Sequence, residues 1–295
     1  MARRTLNDFV PLTPEALGAV RACVHGVFLV SVLLTSFSNL GRLPVTILRP
    51  TGAMQLIPWE VYELLLTPGG MFAFQCVMVV SLAASAAGYL TPYTTKSSAL
   101  LVLFYQGLLR SFGHFNHDEM LGVYYLVVLA FTPCGDGFSI DSLKGRARRR
   151  ADGFAYGYPI LLMRVLLAWV YFSSALIKLR VRGLDYLSAD TLPVLAIVNS
   201  LDNLHETQFR LAFRLPEFLS LTPMAVGLVL AWELLFPLAV WSRRARWWLL
   251  GAGVLFHLST LVLMNIFFPH QLAMYLVFVD WPAFVRRLKG RRSHL

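Results

Sequence analysis

Residues 158–179 read YPILLMRVLLAWVYFSSALIKL. A helix needs about 20 mostly apolar residues to cross the hydrocarbon of a bilayer, and only Arg164 and Lys178 in this stretch are charged. Similar apolar runs lie on both sides, at about 17–39, 70–92, 96–113 and 119–133 before it, and 218–242, 247–268 and 270–286 after it. Counting the stretch itself as a span over 157–178, the expected fold is all-α: a polytopic transmembrane helix bundle of about eight spans. Residues 1–295 then form a single transmembrane domain with no separate soluble domain.

Composition agrees. Of 295 residues, 57% are hydrophobic and 14% charged, against roughly 25% charged in a soluble domain, and the mean hydropathy is +0.62. Two segments between spans are too long for simple turns: 40–69, with LRPTGAMQLIPWEVYELL, and 179–217, with DTLPVLAIVNSLDNLHETQFRLAF. Their mixture of apolar residues, Pro, Gly and charge predicts interfacial or re-entrant helices.

The net charge of +10 would suggest nucleic acid in a soluble protein, but between spans it reads as an orientation signal. With a cytoplasmic N-terminus, sixteen of the 26 Lys and Arg fall on the cytoplasmic side, including the run KGRARRR at 144–150. That run is expected on anionic headgroups, with both termini cytoplasmic, the lipid bilayer as partner and no nucleic acid. The first span is expected to anchor the chain without a cleavable signal. No internal repeat of the transporter kind is seen. Cys23, Cys76 and Cys134 have no CxxC spacing and read as packing residues rather than a disulfide or zinc framework.

Ionisable residues inside spans are costly and are candidates for function. In the opening stretch Arg164, Tyr171 and Lys178 recur every seven residues with Ser174 between the last two, one polar stripe on a helix. Two readings stand for Lys178: an amine partly removed from water, able to act as base or nucleophile, or a side chain that snorkels to the headgroups with Arg180 and Arg182. In the third span Gln106, Arg110, His114 and His117 form a second stripe ending in HFNHDE. Two His and a carboxylate lack a third firm ligand, so no metal is expected. Glu233, alone in mid-span, must pair with an Arg such as Arg110 or Arg164, or be protonated. His257 and Thr260 share a face of the seventh span, with Asn265 further along.

Three patches carry a resemblance: HFNHDEMLGVYYLVVLAF (114–131) with FSID (138–141), VYFSSALIKL (170–179), and ELLFPLAV with GVLFHLSTLVLMNIF within 233–267. In this order they resemble the HTTM (horizontally transferred transmembrane domain) family of bacteria, related to the transmembrane part of vitamin K-dependent γ-carboxylase. The resemblance implies that Lys178 is the base acting on reduced vitamin K or menaquinone. Asn116 and His117 match an Asn-His pair at the active site and His257 a further polar residue there. Tyr171, His114, Arg110 and Glu233 would then help to hold the lipophilic cofactor.

In that chemistry a deprotonated hydroquinone reacts with oxygen to give a strong base, which removes a proton next to a carboxylate so that CO2 adds. The implied activity is carboxylase- or epoxidase-like modification of a small or peptide substrate in the bacterial cytoplasmic membrane. The large soluble region with which the animal carboxylase meets its protein substrate is not expected here, and LRVRGLDYL lacks the tryptophan often found after the lysine motif. A second reading is a non-enzymatic membrane factor for maturation, export or immunity of a small secreted peptide.

Overall fold

The computed structural model describes residues 10–114, 118–148, 152–202 and 209–284, and every regular element among them is helical. In chain order they are α1 (Pro14–Leu34), the turn α2 (Phe37–Leu40), α3 (Trp59–Leu65), α4 (Pro68–Ala87), α5 (Thr91–Ser111), α6 (Met120–Ala130) and the turn α7 (Ile140–Leu143). Then come α8 (Phe154–Arg182), α9 (Thr191–Asp202), α10 (Thr222–Leu235), the turn α11 (Leu238–Trp241), α12 (Arg243–Met264) and α13 (Pro269–Ala273). Short 3-10 segments at Val45–Ile47, Gly52–Leu56, Gly183–Leu187 and Leu211–Phe218 fill much of the two long connections with helical turns.

Local chemistry sets the helix starts. Thr13 caps α1, its hydroxyl accepting from the Ala16 N–H at 3.3 Å, and Thr67 caps α4 through the Gly70 N–H at 3.0 Å. Each is followed by a proline at the first helical position, where no amide donor is missed.

Four helices are long and apolar enough to cross a membrane: α1, α4, α8 with its 3-10 extension, and α12. Leu211–Phe218 and α10, bent by 110°, make a fifth if they count as one span. The chain is thus compatible with an integral membrane protein, but these helices do not supply eight crossings. The expected span at 119–133 is α6, with 11 residues, which rises only about 16 Å against a hydrocarbon thickness of about 30 Å. The expected last span, 270–286, breaks instead into α13 and a 3-10 turn at Met274–Phe278. A helix starts again at Trp281, with the Asp280 carboxylate accepting from the Ala283 N–H at 3.1 Å. α5 has the length, but Thr, Ser, Lys96, Gln106 and Arg110 make it too polar to join the four.

The chain divides into two compact units, Met1–Met163 with Leu276–Leu295, and Arg164–Tyr275. In the first, α1 packs on α4 and α6, and α5 on α4 and α6. α1 buries Val20, Val24, Phe28 and Val32 at four-residue spacing, the stripe of a helix facing its neighbours. Between α4 and α5, Ser81 bonds to Ser97 at 3.1 Å and Ser85 to Ser98 at 3.2 Å, small polar contacts of the kind that join helices in lipid. α4 ends at Gly88, where φ is +69° and a Cβ would stand 1.8 Å from Arg21 Nη1; both facts require glycine. Arg21 and His25 of α1 are fully buried, with Arg21 Nη2 donating to the Phe138 carbonyl at 2.5 Å.

In the second unit α9 packs on α12 and α10, and α10 and α11 on α12. Ala175 of α8 meets Val226 and Leu230 of α10 in a small apolar core. Asn265, the left-handed cap that ends α12, accepts from the Phe209 N–H at 3.1 Å and donates to Ser200 Oγ at 2.7 Å. Its role is to tie the chain after α9 to the end of α12, so it does not extend a polar stripe from His257.

Candidate functional site

The polar residues of the second unit gather on one face of α8. Tyr171, Ser174 and Lys178, spaced by three and four residues, follow the α-helical period and so project in one direction. α10 lies opposite and presents Trp232 and Glu233, with Phe236 just past its end.

Lys178 Nζ donates to both carboxylate oxygens of Glu233, at 2.6 and 2.7 Å. Ser174 Oγ donates to Oε1 at 3.2 Å. The Glu233 side chain is 2% exposed and that of Lys178 24%, so the carboxylate is sealed in while the amine reaches the edge of the packing. The Lys178 ammonium also lies 5.9 Å from the Tyr186 ring centre, within cation–π range. Opposite charges at this distance cancel, which is how a carboxylate is accommodated away from water.

This arrangement decides two points left open by the sequence. The partner of Glu233 is Lys178, not Arg110 or Arg164. Arg164 is buried at 2% exposure but lies four helical turns from Lys178 on α8, about 21 Å along the axis. Arg110 is exposed at the end of α5 in the first unit. Lys178, for its part, makes a buried ion pair as well as approaching the surface, so snorkelling alone does not describe it.

Two turns along α8, the Tyr171 hydroxyl is 2.7 Å from His257 Nε2 and 2.8 Å from the Tyr275 hydroxyl. The Tyr171 ring packs against Trp232 and Phe236, with centroids 4.7 and 4.5 Å away. Trp232 is itself fixed by donating Nε1–H to the Leu249 carbonyl at 2.8 Å. Gly253 makes room for Tyr275: a Cβ there would lie 2.1 Å from the Tyr275 hydroxyl. His257 is 3% exposed, flanked by Phe256 and Phe268, and its Nδ1 has no hydrogen-bond partner among the described residues.

Two hydroxyls and an imidazole in a row can carry a proton in either direction. If Tyr171 donates to Nε2, His257 holds its proton on Nδ1; if Tyr171 accepts, the proton sits on Nε2. The unit therefore holds a charge pair between α8 and α10 and a neutral relay from the same face of α8 to α12 and the 3-10 turn at Met274–Phe278.

The second predicted stripe is not continuous. α5 ends at Ser111, and Gly113 with φ of +84° turns the chain, so His114 lies beyond the helix and is exposed. Gln106 instead bonds to Glu119. Asn116 and His117 lie outside the described residues. Among the described residues no three His, Cys, Asp or Glu side chains come together as a metal set. All three cysteines are free, and burial pushes the Cys134 thiol up to about 11, which keeps it protonated.

Tyr275 escaped the sequence reading because it sits in a 3-10 turn, where the 3.6-residue period gives no signal. Arg21 and His25 escaped it although a signal exists: both are ionisable groups within the first apolar run. Compared with protein-family models, curated proteins and solved structures, the chain matches none.

Proposed function

We propose that this chain is a membrane enzyme of the HTTM type, in which Lys178 acts as base toward a reduced quinone and a small or peptide substrate is modified in consequence. The observation that carries the reading is the Lys178–Glu233 pair, buried on one side and open on the other, beside the Tyr171–His257–Tyr275 relay. A proton passed from Lys178 Nζ to Glu233 leaves a neutral amine and a neutral acid. The neutral amine is the form that takes a proton from an incoming hydroxyl; the pair then holds one proton more than at the start, and it returns to ammonium and carboxylate when that proton leaves to water past the exposed side of Lys178.

One buried polar atom supports an aromatic dihydroxy ring as the cofactor. His257 Nδ1 is a buried polar atom without a partner among the described residues, walled by Phe256, Phe268 and Tyr275, which offers a quinol oxygen a hydrogen bond between apolar faces. A bound reduced quinone would supply, with oxygen, a base strong enough to remove a proton next to a carboxylate. The protein's part would be to deprotonate a hydroxyl at Lys178, to hold another polar group of the ring at His257 and to keep water away with the surrounding rings. The reading also includes a polytopic arrangement in a bacterial cytoplasmic membrane with both termini cytoplasmic, supported by the one-sided Lys and Arg distribution.

A second reading has its own support: because the two charges of the pair cancel, the network also serves as helix packing in a non-catalytic factor for a secreted peptide. One assay separates them. The protein in lipid, given reduced vitamin K or menaquinone, oxygen and bicarbonate, is expected to form quinone epoxide detectable by mass spectrometry. Lys178→Ala, shown to insert and remain folded, should make about 10² to 10⁴ times less, the range for a lost general base. No epoxide from either protein, or equal amounts from both, would reject the catalytic reading in favour of the packing one.

A further inference from the structure

A cleft of about 530 Å³ opens in the first unit between the start of α5, the turn after α6, the segment 146–148 and the first turns of α8. Three cations line it from separate places in the chain, Lys96 on α5 and Arg146 and Arg148 after α7. Two carboxylates also line it, but both have donors. Asp141 accepts from the Leu90 N–H, the Thr91 N–H and the Thr91 hydroxyl at 3.1, 2.7 and 2.8 Å, with Arg146 3.9 Å away. Asp136 accepts from the Tyr156 hydroxyl at 2.8 Å. Cations therefore exceed carboxylates, and the carboxylates are committed.

The remaining wall is aromatic and outward facing. Tyr93 and Phe131 are each 75% exposed and Tyr158 38%, and Lys96 Nζ stands 6.0 Å from the Phe131 ring centre. Exposed rings beside cations gain little from a small soluble anion, but they suit the boundary between headgroups and acyl chains. The cleft lies at that level. It starts at Leu90, just past the end of α4, and takes in the first turns of α8, and both helices are apolar enough to cross.

We infer that this cleft binds the phosphate headgroup of an anionic membrane lipid. Lys96, Arg146 and Arg148 meet the phosphate, while Tyr93, Phe131 and Tyr158 cover the glycerol and the first acyl carbons.

The test is native mass spectrometry of the full chain in an uncharged detergent with phosphatidylglycerol, phosphatidylcholine or inorganic phosphate. Phosphatidylglycerol should be retained in preference to phosphatidylcholine, and excess inorganic phosphate should not displace it. Lys96→Gln, an exposed substitution that leaves the partners of Asp141 in place, should weaken retention about fivefold, and Lys96→Gln/Arg146→Gln/Arg148→Gln about fivefold per cation removed. Arg42→Gln/Arg49→Gln/Arg214→Gln, which removes the same charge from exposed sites elsewhere, should retain the lipid. Equal retention of the two lipids, equal loss in both triple variants, unchanged retention in Lys96→Gln, or displacement by inorganic phosphate would overturn the assignment.

Discussion

Tyr171 is the residue on which the neutral half of the site turns. Its ring is packed by Trp232 and Phe236, and its hydroxyl alone reaches both His257 Nε2 and the Tyr275 hydroxyl. Tyr171→Phe keeps the packing and removes both bonds, leaving a buried imidazole whose other nitrogen already has no partner among the described residues. The expected cost is about 1–3 kcal/mol, that of stranding a buried polar group, measured as a lower unfolding midpoint in lipid or detergent. Epoxide formation should fall while Lys178→Ala remains the more severe loss. A variant as stable and active as the parent would mean that the relay carries neither structure nor protons.

At the level of elements, the first turn of α5 depends on a residue fifty positions away. Leu90 precedes the helix in a left-handed conformation and offers no side-chain cap, so the carboxylate of Asp141 takes the N–H groups of Leu90 and Thr91. Burial opposes the charge on Asp141, but the hydrogen bonds from Thr91 and Leu90 and the nearby Arg146 outweigh it and hold the carboxyl below its ordinary value of 3.8. A folded-state value below the unfolded one means that Asp141 adds stability above pH 3.8, and that this share is lost as pH falls from there through the folded value. Asp141→Asn should therefore lower the unfolding midpoint near neutral pH, and the gap to the parent should close on acidification. A gap that stays constant into acid would show that the charge of Asp141 is not what caps α5. The FSID turn was visible in the sequence, but this task was not, because a cap contributed from across the fold leaves no local pattern.

Across the whole molecule, helical class and apolar character were legible because the 20-residue apolar run and the low charge content reflect the solvent a helix must meet. The number of crossings was less so. Hydropathy averages over residues and does not register the stop after α6 or the 3-10 turn at Met274–Phe278, which shorten two of the expected spans. The Tyr171, Ser174 and Lys178 stripe was legible because it lies on one unbroken helix. That Glu233 answers Lys178 was not, since pairing between helices depends on packing that spacing within one helix does not report. The central claim is that Lys178 and Glu233 work as one unit, and a double-mutant cycle in lipid tests it most directly. Lys178→Met should cost about 3–5 kcal/mol, the penalty for leaving a buried charge uncompensated. Lys178→Met/Glu233→Met should recover most of that stability and none of the epoxide formation. Stability losses that simply add, or a double variant that still forms epoxide, would contradict the account.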